Sequence, residues 1–161
     1  MSFKQAFAKL KESKEFKSFK KKNPDAYLCA GFFVVEYDSN RSLEQLDYQT
    51  RDGIVTFTID MHIEEKEAEQ IEQKRLEKIS EQIKIDLEEV EKLIKEQLSK
   101  LKDSSKVNKL IAVLQSFKGK DIWNITAILE SMHLLRMHID AQTGKILKTE
   151  KASMFDFIKK I

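Results

Sequence analysis

A chain of 161 residues forms one domain or two small ones of about 80 residues each. Apolar residues make up 41%, enough for a core, and four Gly and one Pro argue against a loop-rich or disordered chain. One Cys excludes a disulfide framework and a Cys-based zinc site, and no run approaches the roughly 18 apolar residues of a membrane span.

The formal charge of +2 hides alternating blocks: +6 over residues 1–22, −5 over 23–63, −3 over 64–102 and +4 over 103–161. A basic arm beside an acidic segment either pairs within the fold or faces an anionic partner. Met1–Lys22 lacks the apolar run and small-residue cleavage site of a secretory signal, and Glu12, Glu15 and the absence of Arg oppose a transit peptide. With a free Cys29, the expected location is the cytoplasm.

Phe3, Ala6, Phe7 and Leu10 share one helical face. Phe16 and Phe19 fall nearly opposite, so either the helix breaks near Ser13 or it is gripped on two sides. Pro24 ends it. From Tyr27 to Tyr37 both alternate sets are apolar, which predicts a strand covered on both faces. Leu43–Gln49 is a weaker strand, and Arg51-Asp52-Gly53 is a hairpin turn. Over Ile54–Ile63, Val55, Phe57, Ile59, Met61 and Ile63 oppose Thr56, Thr58, Asp60 and His62, which predicts one buried and one wet face.

Glu64–Lys102 has no Gly or Pro and reads as one long helix. Its stripe of Leu76, Ile79, Ile83, Leu87, Val90, Ile94, Leu98 and Leu101 has an eleven-residue rhythm, which keeps it straight; Glu64–Arg75, with only Ala68 and Ile71 apolar, is a solvated connecting stretch. Strands are predicted over Val107–Phe117, Ile122–Leu129, His133–Asp140 and Ile146–Thr149, and a last short helix over Met154–Ile161. The expected fold class is α+β: two cystatin-like helix-plus-antiparallel-sheet halves, 1–63 and 64–161, linked by the long helix.

Ile122-Trp123-Asn124-Ile125 and Met137-His138-Ile139-Asp140-Ala141-Gln142-Thr143-Gly144-Lys145-Ile146-Leu147 resemble the PepSY domain, a cystatin-like unit whose sequences often end in a strand, a D-A-x-T-G turn and a small apolar pair. The resemblance covers roughly the last 80 residues, and the first half lacks the turn. In that turn Asp140 can accept backbone N–H groups and Gly144 can take positive φ. PepSY domains are mostly found outside the cytoplasm or beside membranes, as peptidase propeptides or inhibitory modules, whereas no export signal is read here. The resemblance implies a fold more than an activity.

Chemistry is sparse. His133 and His138 are five apart and point to opposite faces of a strand, and with His62 they make no ligand spacing, so no metal is expected. Cys29 sits in an apolar run and reads as buried filler. Gly31 marks a bulge or a close backbone approach, since no phosphate-binding glycine motif occurs. Asp47, Asp60 and Asp140 are the candidates for an acid–base pair. Lys17, Lys20, Lys21 and Lys22 are candidate anion contacts, with Phe16 and Phe19 available to stack on bases, but Arg is scarce and nucleic acid is not the favoured partner. A membrane-surface role for the same helix is a further possibility. Phe32, Val34, Phe117 and Trp123 are the candidate protein interface, together with the start of the long helix. They either pack the two halves together or meet a second copy or another protein. The expectation is a non-enzymatic cytoplasmic protein-binding or assembly module without cofactor. The alternatives are anion or nucleic-acid binding through the basic helix, and a small-ligand or enzymatic site in an NTF2-like or cystatin-like sheet cavity.

Overall fold

The computed structural model describes residues 1–60, 63–67 and 75–159, with side chains as far as Asp156. The expectations for Met61, His62, Ala68, Ile71 and the last two residues fall outside these. Two serines set the first helices. Ser2 caps α1 (Phe3–Glu12): its Oγ accepts from the Gln5 amide at 3.1 Å while the Gln5 side chain accepts from the Ser2 amide at 3.0 Å. Ser13 ends α1 and starts α2 (Lys14–Lys22), donating from Oγ to Leu10 O at 2.6 Å and accepting from Phe16 N at 3.2 Å. The helix therefore breaks at Ser13, and each piece aims its own aromatic face at the sheet.

The strands are β1 (Tyr27–Glu36), β2 (Arg41–Thr50), β3 (Gly53–Ile59) and β4 (Ile63–Glu67). After α3 (Leu87–Lys100) come β5 (Val107–Phe117), β6 (Lys120–Leu129), β7 (His133–Asp140) and β8 (Ile146–Ser153), then α4 (Met154–Lys159). All eight form one antiparallel sheet in the order β4-β3-β2-β1-β5-β6-β7-β8. Six of the seven strand pairings join sequence neighbours, and the one non-local seam is β1 against β5. In the turn after β7, Asp140 Oδ1 accepts the amides of Gln142 and Thr143 at 2.8 and 3.1 Å, and Gly144 adopts φ 79°.

This arrangement corrects the expected architecture. The molecule is predominantly β, built on one continuous sheet, not two helix-plus-sheet halves joined by a long helix. Within the expected helix 64–102, Ile63–Glu67 is an edge strand and residues 75–86 form neither helix nor strand; among the described residues of that range only Leu87–Lys100 is helical. The apolar rhythm was real, but two backbones share it. Ile79 and Ile83, each 1% exposed, are buried from a non-helical strap, whereas Val90, Ile94 and Leu98 are buried from a helix.

The strap is held by backbone groups. Ile79 N donates to Leu28 O at 3.0 Å, and Ile85 N to Ala141 O at 2.9 Å. The Trp123 indole donates to Ile85 O at 2.7 Å, the Tyr27 hydroxyl to Leu76 O at 2.7 Å. These bonds take up the polar groups that a helix would have satisfied internally. Asp86 then caps α3 in a reciprocal box with Glu89, and Glu88 and Glu89 complement the helix N-terminus.

The helices α1, α2 and α3 and the strap lie on one sheet face. Leu46, Phe57, Leu110, Leu114, Trp123, Ile125, Leu135, Met137 and Ile139 project into that layer and are buried with Phe3, Leu10, Val90 and Ile94 in one core. Phe16 and Phe19 of α2 meet Tyr48 and Phe57 in an aromatic cluster with ring centroids 5.0–6.1 Å apart. Among the described residues no helix is long and apolar enough to cross a membrane.

Candidate interaction face

The residues that alternate with the core positions lie on the opposite sheet face. Register places them in rows across the strands. One row runs Lys148, His138, Asn124, Val113, Phe32, Gln45, Thr58, Glu64, from β8 to β4. The next runs Glu150, Arg136, Thr126, Ile111, Val34, Leu43, from β8 to β2. The two central strands thus bring Phe32, Val34, Ile111 and Val113 together as a block of four apolar side chains, each half-buried.

Polar groups flank this block. On one side Gln45 Nε2 donates to Thr58 Oγ1 at 3.2 Å, and Thr56 Oγ1 donates to Asp47 Oδ1 at 2.7 Å. Burial raises the Asp47 carboxyl above its ordinary range, opposed by the Thr56 hydrogen bond. At one end Lys109 Nζ lies 3.6 Å from Glu36 Oε1. An apolar centre with a hydrogen-bonded rim is the anatomy of a protein interface.

The remaining sequence-derived candidates scatter. Trp123 lies on the helix-covered face, 0% exposed, with its ring 5.7 Å from Phe33, so it cannot meet a partner. Phe117 is 62% exposed at the β5–β6 turn, under the Lys118 ammonium and at the far end of β5 from the central block. The start of the expected long helix is β4, an acidic edge strand. Ile111 and Val113 were not singled out as contacts, because only the β1–β5 pairing sets them beside Phe32 and Val34.

Lys17, Lys21 and Lys22 are exposed on α2, whereas Lys20 Nζ donates to Ala26 O at 2.9 Å and closes the loop before β1. Phe16 and Phe19 are 8% and 2% exposed, so neither ring is free to stack on a base. Asp47 and Asp140 share a row but lie four strand spacings apart, roughly 19 Å at 4.8 Å per strand, too far for a common proton. Asp60 follows β3, and its carbonyl accepts from Lys9 Nζ. Cys29 is buried and donates to Asp47 O at 3.3 Å; burial and the Asp47 charge push its thiol up to about 12. His133 Nδ1 contacts Ser131 O at 3.0 Å. Among the described residues no group of three or more His, Cys, Asp or Glu side chains could hold a metal ion.

No protein-family model matches the chain. No curated protein matches it either. Among solved structures, the chain is similar to a crystal structure described provisionally as that of a lipoprotein of Clostridium difficile 630, at 13% identity, with 86% of this chain and 90% of that chain covered and a TM-score of 0.49.

Proposed function

We propose that the chain is a non-enzymatic assembly module whose open sheet face packs against a second copy of itself. The observation that carries this reading is the central block of Phe32, Val34, Ile111 and Val113 on the face opposite to the one that α1, α2 and α3 cover.

The rows support a self-complementary fit. Place a two-fold axis parallel to the strands, between β1 and β5 and outside the face. Each row then lies over its own reverse. Phe32 meets Val113 of the other copy, and Val34 meets Ile111. Gln45 meets Asn124, and Glu64 meets Lys148. At these four pairs apolar groups fall on apolar groups, amide on amide, and acid on ammonium, as an isologous interface requires, while Leu43 meets Thr126 at the edge of the apolar block. Face-to-face sheets pack about 10 Å apart with a rotation of about 30°, so the central pairs are kept and the outer ones are offset.

Sedimentation of the intact chain tests this. The wild type is expected at twice the 18.8 kDa chain mass. Val34→Asp combined with Val113→Asp is expected to give a monomer with an unchanged circular dichroism spectrum, since both side chains sit on the open face. A wild-type chain that stays monomeric at high micromolar concentration overturns self-assembly. So does a double variant that is folded and still dimeric.

A further inference from the structure

A second concavity lies on the other side of the sheet, apart from the open face. It opens between α3 and the β1–β5 seam, and its volume is about 390 Å³. That is at the small end of the roughly 300–1,000 Å³ that ligand sites span. Ile94 and Leu98, one turn apart on α3, form its apolar wall with Val107 of β5. Its polar lining residues are Tyr37, Glu91, Ser105, Lys95 and Lys106.

We propose that this cavity binds a small zwitterion with an apolar side chain, a free α-amino acid of the leucine or phenylalanine type. Both signs of charge stand beside one apolar wall, which is the pattern such a ligand needs. Glu91 is half-buried and lines the cavity beside Tyr37. A carboxylate offers about four lone-pair sites, so it retains acceptors for a ligand ammonium. Burial raises the Glu91 carboxyl, opposed by Lys95 one turn away and by the amino terminus. Burial and the neighbouring Glu91 push the Tyr37 phenol up to about 12, which keeps it a hydrogen-bond donor at neutral pH. Lys95 comes from α3 and Lys106 from the loop before β5, and their ammonium groups are the candidates to meet a ligand carboxylate. Ile94, Leu98 and Val107 then take the side chain. An apolar acid without the amine would leave Glu91 facing its carboxylate. An amine without the acid would leave the two lysines unanswered.

Calorimetric titration of the intact chain with L-leucine, 4-methylpentanoate and 3-methylbutylamine tests this, with the Tyr37 ring resonances as a site-specific readout. Leucine is expected to bind saturably and to shift the Tyr37 signals. Each single-charge analogue is expected to bind about tenfold more weakly or worse, the effect of losing one charged hydrogen bond. Glu91→Gln should weaken leucine but not 4-methylpentanoate, and Lys106→Gln should weaken leucine but not 3-methylbutylamine. Both positions are solvent-accessible, so unchanged melting curves are expected to confirm the fold. Absence of saturable binding by leucine and by phenylalanine at tens of millimolar overturns the proposal. So do equal affinities for leucine and either analogue, or leucine binding that neither substitution alters.

Discussion

The Asp86 carboxylate caps a helix 83 residues away in sequence: its Oδ1 accepts the Phe3 amide at 2.8 Å, and its Oδ2 accepts the neighbouring Lys4 amide at 3.1 Å. The same side chain caps its own helix, accepting from Leu87 N at 2.7 Å and from the amide of Glu89. One buried side chain therefore satisfies first-turn donors of both α1 and α3. With Ser2 and Gln5 completing α1, none of its orphan amides is left to water.

Asp86→Ala should accordingly lose two caps and strand buried amides. A destabilisation of about 2–4 kcal/mol is expected. Urea unfolding would register it as a lower midpoint at constant slope. Asp86→Asn, which keeps one acceptor oxygen, should lose about half as much. A loss for Asp86→Ala within about 0.5 kcal/mol, the range of ordinary surface substitutions, would deny the double cap.

The aromatic cluster under α2 carries a different prediction. Tyr48 is 1% exposed, and its hydroxyl finds no hydrogen-bond partner among the described residues. Burial pushes its phenol above the ordinary range. Removing a buried, unpaired hydroxyl relieves a desolvation penalty, so Tyr48→Phe should leave stability unchanged or raise it by about 1 kcal/mol. Phe19→Ala, which opens a cavity between the Tyr48 and Phe57 rings, should cost about 3–5 kcal/mol. Thermal melts of the two variants should therefore move in opposite directions, or the first not at all.

Strands were legible in the sequence wherever both the alternation and the turns were local. Val107–Phe117 and His133–Asp140 match their predicted bounds, and the break at Ser13 was one of two open readings. Gly31 fits neither reading as given, since its near neighbours are side chains and the bulge falls before it. It lies just past a bulge at Leu28–Ala30, and a Cβ there would come within 2.9 Å of the Phe33 ring. The long helix failed because side chains three and four apart report burial at intervals, not backbone conformation. Ile79 and Ile83 are buried at that spacing from a strap whose backbone groups at Leu76, Ile79 and Ile85 bond to partners distant in sequence. The signal that would have placed the boundary is the D-x-x-E box at Asp86–Glu89. Phe32 and Val34 could be found from the doubly apolar strand. Their neighbours Ile111 and Val113 could not, because the β1–β5 seam joins segments separated by some eighty residues.

Acid should weaken the tie between α3 and the last strand. Asp103, just past α3, pairs with Lys151 of β8 and accepts the Ser105 amide at 2.8 Å. The Lys151 and Ser105 hydrogen bonds hold its carboxyl well below the usual carboxylate range. Its folded-state pKa is below its unfolded value, so its stabilisation is complete at neutral pH. It declines as pH falls below about 4 and vanishes once the folded carboxyl is also protonated. The stability advantage of wild type over Asp103→Asn, measured by denaturant unfolding, should be flat from pH 7 to 5 and should shrink steadily below pH 4. An advantage independent of pH down to 2 would remove the carboxylate from the account.

Cys29 offers a clean reporter of the β1–β2 core. Its thiol is 1% exposed and pushed up to about 12 by burial, with the Asp47 charge adding to the effect. A thiolate is the reactive species, so both access and ionisation protect it in the native state. In the folded chain at pH 8 a disulfide reagent such as 5,5′-dithiobis(2-nitrobenzoate) should react only as fast as β1 and β2 open. In guanidinium the single thiol should react at once. Destabilising the strap through Tyr27→Phe, which removes the 2.7 Å bond to Leu76 O, should speed native-state labelling if opening of this end of the sheet limits it. Rapid stoichiometric labelling of the native protein would contradict the packing of Cys29.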